Sequence, residues 1–201
     1  PSEGGGALVM TCGEPAGIGP EIAARAWSAL GARLPFAWIG DPAHLPAGTP
    51  IREIEAPRDA AHVAATALPV LAHRFPEPAV PGRPDPANAA EVVAVIARAV
   101  QLAQAGAASG VVTGPIHKKA LQDGAGFAHP GHTEYLAALA GVERVVMMLA
   151  CEHLRVVPAT IHVPLAEVPQ LLTRDLLVQT IRITHAALRR DFGLSDRKSV
   201  V

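Results

Sequence analysis

Aromatic residues are scarce, at 3% of the 201 positions. A core must therefore be built from Ala, Val, Leu and Ile, which suits helices packed on parallel strands that are covered on both faces. Cysteine is scarcer still. Cys12 and Cys151 stand far apart, which excludes a disulfide framework and a cysteine metal pair. Charge of either sign is low, 17 Lys and Arg against 18 Asp and Glu, and this balance gives nucleic acid or an acidic membrane no electrostatic foothold. No apolar run is long enough to cross a bilayer, and no charged segment followed by an apolar core opens the sequence. With half its residues apolar, the chain is also too hydrophobic for intrinsic disorder. The expectation is a cytoplasmic globular protein with no nucleic-acid or membrane partner.

What is present alternates. Ala7 to Thr11 is a short apolar run, followed by a Gly-rich segment and a helical pattern from about Glu21 to Leu30, with Pro20 suited to its first turn. Phe36 to Ile39 reads as a second strand. The Pro-rich stretch from Pro42 to Pro86 reads as short strands and loops. Asn88 to Ala105 is an amphipathic helix, since Val92, Val95, Ile96, Ala99 and Leu102 recur at helical spacing. Gly110 to Thr113 is a strand that breaks at Gly114-Pro115, and a helix opens at Lys118. A further helix follows Gly131-His132-Thr133. Arg144 to Leu149 and Leu154 to Thr160 read as strands, Val168 to Leu172 as a helix start, and Asp175 to Asp191 as a long helix. Strands alternating with helices predict an α/β fold with a largely parallel sheet.

Four segments carry candidate chemistry. Gly13 to Glu21 joins a strand to a helix, the usual place for a phosphate loop. Here Ile22 stands where the third glycine of a dinucleotide fingerprint belongs, Glu14 and Glu21 would repel a pyrophosphate, and no Gly-Lys-Ser/Thr follows. Two readings stay open: a tight turn that needs glycine dihedrals, or a loop lining a substrate cleft with Glu14, Gly17 and Gly19. Thr113 to Lys118 lies at the carboxyl end of a strand, where open α/β sheets bind ligands, so Thr113 and His117 are also cleft candidates. Lys118 could pair with an anion, assist proton transfer, or simply be solvated. Thr133 can cap the following helix, leaving N–H groups and the His132 ring as a cradle for a phosphate. His162 follows an apolar strand. A lone histidine cannot make a metal site, and the spacing of His117, His129 and His153 matches no local metal motif.

Taken in order, these segments resemble one family. Thr11-Cys12-Gly13-Glu14-Pro15-Ala16-Gly17-Ile18-Gly19-Pro20-Glu21 is similar to the opening signature of the 4-hydroxythreonine-4-phosphate dehydrogenases of vitamin B6 synthesis. Thr113 to Lys118, Pro130 to Leu136, Met147 to Leu149 and Leu154 to Leu165 resemble its later blocks. The resemblance implies a three-layer α/β/α architecture like that of the isocitrate and isopropylmalate dehydrogenases, with two domains, a cleft and a homodimer. It implies NAD or NADP, a divalent metal (zinc, magnesium or cobalt) and a small phosphorylated substrate. The reaction implied is oxidation of 4-phosphohydroxy-L-threonine, then decarboxylation to 3-amino-2-oxopropyl phosphate. By the same resemblance His132 and Thr133 contact the substrate and His162 is one metal ligand. Lys118 is a candidate catalytic group on position alone.

Lys198 to Val201 reads as a strand just beginning, so the expectation is a chain shorter than the whole protein. Residues 1–125 would form most of a first domain, and 126–201 would open a second. Such a chain alone would bind metal and NAD poorly and turn over little. Within the same fold, enzymes acting on erythronate 4-phosphate or on dihydrodiol carboxylates compete for the assignment. A non-catalytic small-molecule binding relative is the rival from another class.

Overall fold

The structure is a computed structural model and describes residues 6–194. The chain divides into two compact units, one ending at Gly141 and the other beginning at Val142.

The first unit is built on five parallel strands in the order β3-β4-β2-β1-β5. Their ranges are β1 Leu8–Thr11, β2 Phe36–Gly40, β3 Ile51–Glu53, β4 Leu68–Ala72 and β5 Val111–Val112. Helix α1 (Gly19–Leu30) joins β1 to β2, the short α2 (Ala60–Val63) precedes β4, and α3 (Ala89–Gln104) leads from β4 to β5. The step from β1 to β2 runs one way across the sheet and that from β4 to β5 runs the other. Right-handed crossovers then set α1 and α3 on opposite faces. Accordingly all five residues of β2 are buried, Trp38 and Ile39 completely. A strand covered on both faces is a continuous apolar run, as Phe36 to Ile39 is.

β4 hides in the Pro-rich stretch because of Pro69. That residue pairs only with Arg52 of the edge strand β3, while the pairing with β2 begins at Val70. Its missing N–H therefore falls outside the central ladder. The apolar stripe of α3 serves two clusters. Val95 and Ala99 pack with the sheet, whereas Val92 and Ile96 pack with Leu121 and Phe127. Behind α3 lie α4 (Lys118–Ala125) and α5 (His132–Ala140), each ending in a left-handed glycine, Gly126 at φ 61° and Gly141 at φ 65°.

The second unit, taken by itself, holds β6 (Leu149–Ala150), β7 (Arg155–Val156), α6 (Val168–Leu171) and α7 (Arg174–Phe192). Thr173 caps α7, its Oγ1 accepting from Leu176 N–H at 3.2 Å, and Gly193 ends it at φ 63°. The two strands expected over residues 144–149 and 154–160 shrink to one antiparallel pair of two residues each, closed by Cys151 N–H to Leu154 C=O at 2.8 Å. The physical reason is a lack of partners. Among the described residues each strand finds only the other, and Leu149 and Leu154 remain 59% and 61% exposed. The strand expected at Lys198 to Val201 lies outside the described residues. Among the described residues no helix is long and apolar enough to cross a membrane.

Candidate anion-binding site

β1 is the point where the strand order reverses, with β2 on one side and β5 on the other. In open α/β sheets the crevice at such carboxyl ends takes ligands. Here the two loops are stitched to each other. Glu14 N–H donates to Pro115 C=O at 2.8 Å, and Gly114 N–H donates to Thr11 Oγ1 at 3.0 Å. The glycines turn their open side to backbone: a Cβ on Gly13 would lie 2.3 Å from Pro115 O, and one on Gly19 would lie 2.1 Å from Cys12 O. Gly13 also sits at φ 69°. Glu14 is buried, and its carboxylate accepts from Ala16 N–H at 3.0 Å, which holds the turn. The tight-turn reading of this loop therefore accounts for Gly13, Glu14 and Gly19, while Gly17 is exposed and Thr113 half-buried. Burial pushes the Cys12 thiol up to about 12, so it is no nucleophile.

Lys118 opens α4 on the carboxyl side of β5. His117 fixes that start as the N-cap, its Nδ1 accepting from Ala120 N–H at 3.1 Å. The expectation that Thr133 caps α5 is corrected. Gly131 is the cap residue, with no side-chain bond, and His132 is the first helical residue. Glycine, with an open backbone, is an acceptable N-cap, and its use leaves the exposed Thr133 hydroxyl unspent. The first intrahelical bond runs from Tyr135 N–H to Gly131 C=O at 3.3 Å, so the N–H groups of His132, Thr133 and Glu134 point out of the helix end.

Lys118 and this helix end converge. A Cβ on Gly131 would stand 3.6 Å from both Lys118 Nζ and Glu134 Oε2. His132 Nε2 is buried and, among the described residues, has no hydrogen-bond partner. Burial first, then the Lys118 ammonium, holds the His132 imidazole below the ordinary histidine range, so it is neutral at pH 7. An ammonium, open backbone donors and an unpartnered imidazole form a cradle for an anion.

His162 belongs to the second unit and is described within it alone. β7 ends at Val156, so His162 does not stand at a strand's carboxyl end as expected, because the strand stops for want of a partner. It is the only non-glycine among the described residues with positive φ, at 57°. A left-handed residue with a Cβ costs about 1–2 kcal/mol. His162→Gly is therefore expected to raise the resistance of the chain to urea by about 1 kcal/mol, and a loss of stability would contradict this reading. Among the described residues no group of three His, Cys, Asp or Glu side chains could hold a metal ion. A catalytic site needs about three protein ligands. The described residues do not complete a metal site, nor does the Gly13–Gly19 loop offer a pyrophosphate its backbone.

One polar network escaped the sequence. Burial draws the Asp41 carboxyl upward, but hydrogen bonds from Ala43 N–H, Phe75 N–H and Arg74 outweigh this and hold it below the usual carboxylate range. Beside it His73 Nε2 meets Glu91 at 2.6 Å. This network fixes the carboxyl ends of β2 and β4. Apart from the local bond from Ala43, the partners of Asp41 stand more than thirty residues away, at 33 and 34 positions, and no local pattern announces them.

A five-stranded parallel sheet with helices on both faces defines an α/β domain of the open, doubly wound kind. The sequence pattern of the family described as pyridoxal phosphate biosynthetic protein PdxA matches residues 35–201, and the chain belongs to that family. It is 58% identical to a 4-hydroxythreonine-4-phosphate dehydrogenase of Roseobacter denitrificans over 195 residues, which cover 96% of this chain and 60% of the relative. Among solved structures it is similar to the 4-hydroxythreonine-4-phosphate dehydrogenase of Klebsiella pneumoniae, with a TM-score of 0.82, 28% identity and 92% of this chain against 60% of the other covered. It is less similar to a terephthalate 1,2-cis-dihydrodioldehydrogenase of Burkholderia xenovorans, with a TM-score of 0.67, 25% identity and coverage of 94% and 59%. The chain thus spans about 60% of the length of these relatives.

Proposed function

We propose that the whole protein is an NAD(P)-dependent dehydrogenase that oxidises 4-phosphohydroxy-L-threonine, with decarboxylation to 3-amino-2-oxopropyl phosphate, in pyridoxal phosphate synthesis. The single observation that carries the reading is the approach of Lys118 to the open N-terminus of α5 beside the unpartnered Nε2 of His132. Those groups suit a small phosphorylated substrate. In this reading Thr133 donates from its free hydroxyl, neutral His132 bonds a substrate oxygen, and Lys118 balances the negative charge. The cofactors proposed are NAD or NADP and a divalent metal (zinc, magnesium or cobalt), with His162 as one ligand. The first domain is proposed to take up residues 1–125 and the second to open with 126–201, in a cytoplasmic homodimer.

The relation to the dihydrodiol dehydrogenase keeps one rival in view. A substrate panel on the whole protein, followed by NADH absorbance, separates the two. Turnover is expected with the phosphorylated amino acid and is expected to fall at least about a hundred-fold when the phosphate is removed, because the Lys118 ammonium, the α5 donors and the buried His132 Nε2 then lose their shared partner. A phosphate-free diol as the best substrate would overturn the proposal.

A further inference from the structure

Helix α4 opens at Lys118 and closes at Ala125, and residues 126–131 join its far end to the His132 start of α5, so something must hold that loop in register for the two starts to meet. Three rings do so. His129 lies 5.0 Å from Tyr135 and 5.3 Å from Phe127, and Phe127 meets Tyr135 edge-on at 5.1 Å. Each ring is anchored differently. Phe127 is buried in the cluster with Leu121 of α4 and Ile96 of α3. Tyr135 is the fourth residue of α5, and its hydroxyl donates to Val93 C=O of α3 at 3.4 Å. His129 stands two residues before the Gly131 cap and bridges the other two. In a hydrophobic staple the residue just ahead of the N-cap packs on the fourth helical residue and fixes the angle of entry; here the ring one position earlier, His129, makes that contact with Tyr135.

We propose that His129 is a positioning residue, whose stacked ring sets the Gly131 end of α5 against Lys118 and so shapes the anion cradle. This rests on the anion-site reading above. The role is carried by the ring and not by its nitrogens, since aromatic pairs at these separations gain from the faces and edges of the rings themselves.

The test uses the 201-residue chain, inorganic phosphate as probe, and two variants, His129→Ala and His129→Phe. Amide shifts of the α5 N-terminus report phosphate affinity, the His132 ring titration reports the nearness of Lys118, and a thermal melt reports the fold. His129→Ala is expected to weaken phosphate about three- to ten-fold and to move the His132 titration upward as the ammonium loses its place. His129→Phe is expected to restore both. A purely structural role would lower the melt and leave the His132 titration of the folded protein unmoved, which would overturn the proposal. If the alanine variant does not fold, a folded His129→Phe that loses phosphate or shifts His132 overturns it equally. Should the unaltered chain bind no phosphate, the anion-site reading falls, while the His132 titration still decides the positioning of Lys118.

Discussion

Lys118→Met is expected to weaken inorganic phosphate binding by about ten-fold or more, the usual worth of a hydrogen bond to a charged group. Methionine keeps an unbranched apolar stem and removes the ammonium with its charge and its donors. Lys118 is exposed and makes no ion pair among the described residues, so the fold should not register the change. A second consequence separates this lysine from an ordinary solvated one. Its ammonium helps to hold the His132 imidazole below the ordinary range, after burial. Removing the like charge should raise the His132 titration, and adding phosphate to the unaltered chain should raise it as well, because an anion favours the charged ring. The effect on affinity should shrink in high salt, since the ammonium is screened where it meets solvent. Unchanged affinity with an unmoved His132 would mean that Lys118 is only solvated.

The second large effect concerns the Gly-rich loop. Gly13→Ala is expected to destabilise the first unit by about 3 kcal/mol or more, combining a disallowed backbone region with a collision. The new Cβ would meet Pro115 O at 2.3 Å on a backbone at φ 69°, and that oxygen is main chain held by the Glu14 N–H. Gly126 isolates the conformational part. It sits at φ 61° with nothing within 4 Å of a Cβ, so Gly126→Ala should cost only about 1 kcal/mol. Urea denaturation of the two variants measures the difference. Equal midpoints would show that the loops of β1 and β5 are not stitched as described. A large loss at Gly13 supports glycine here as a device of backbone packing, with the anion held elsewhere.

The His132 shift has a further consequence for the fold. A histidine whose folded titration lies below its unfolded value resists protonation while folded. Its contribution to stability is present above the unfolded value, near 6.5, and is lost as pH falls below it, because the unfolded chain then binds the extra proton. His44 is shifted the same way, by burial first, so the two act together.

Much of the first unit was legible. The apolar run of Phe36 to Ile39 announced a strand hidden on both faces, and the spacing of Val92, Val95, Ile96 and Ala99 announced α3, because burial on a sheet or helix writes a period into the sequence. β4 was obscured by Pro69, which is tolerated only through pairing with the edge strand there. The opposite error occurred in the second unit. Residues 144–149 and 154–160 have strand composition, but a strand is made by its partners, and partners are not local. The candidate site divides along the same line. Lys118, His132 and Thr133 could be singled out by residue type and by their place near helix starts. That Gly131 and not Thr133 caps α5 turns on a one-residue shift that composition does not resolve. That Lys118 reaches the end of α5 depends on a loop and three packed rings, a tertiary arrangement with no sequence period. His162 was suggested by the family resemblance, and its left-handed backbone could not have been read from its neighbours.

The central claim is that Lys118, His132 and the open end of α5 hold the phosphate of a small substrate. The direct measurement is a titration of the 201-residue chain with inorganic phosphate, followed through backbone amide resonances. Saturable shifts are expected at His132, Thr133 and Glu134, with a midpoint about ten-fold or more higher in Lys118→Met and with the loop from Gly13 to Gly19 unmoved. Shifts centred on the Gly13–Gly19 loop, or none at the start of α5, would contradict the account.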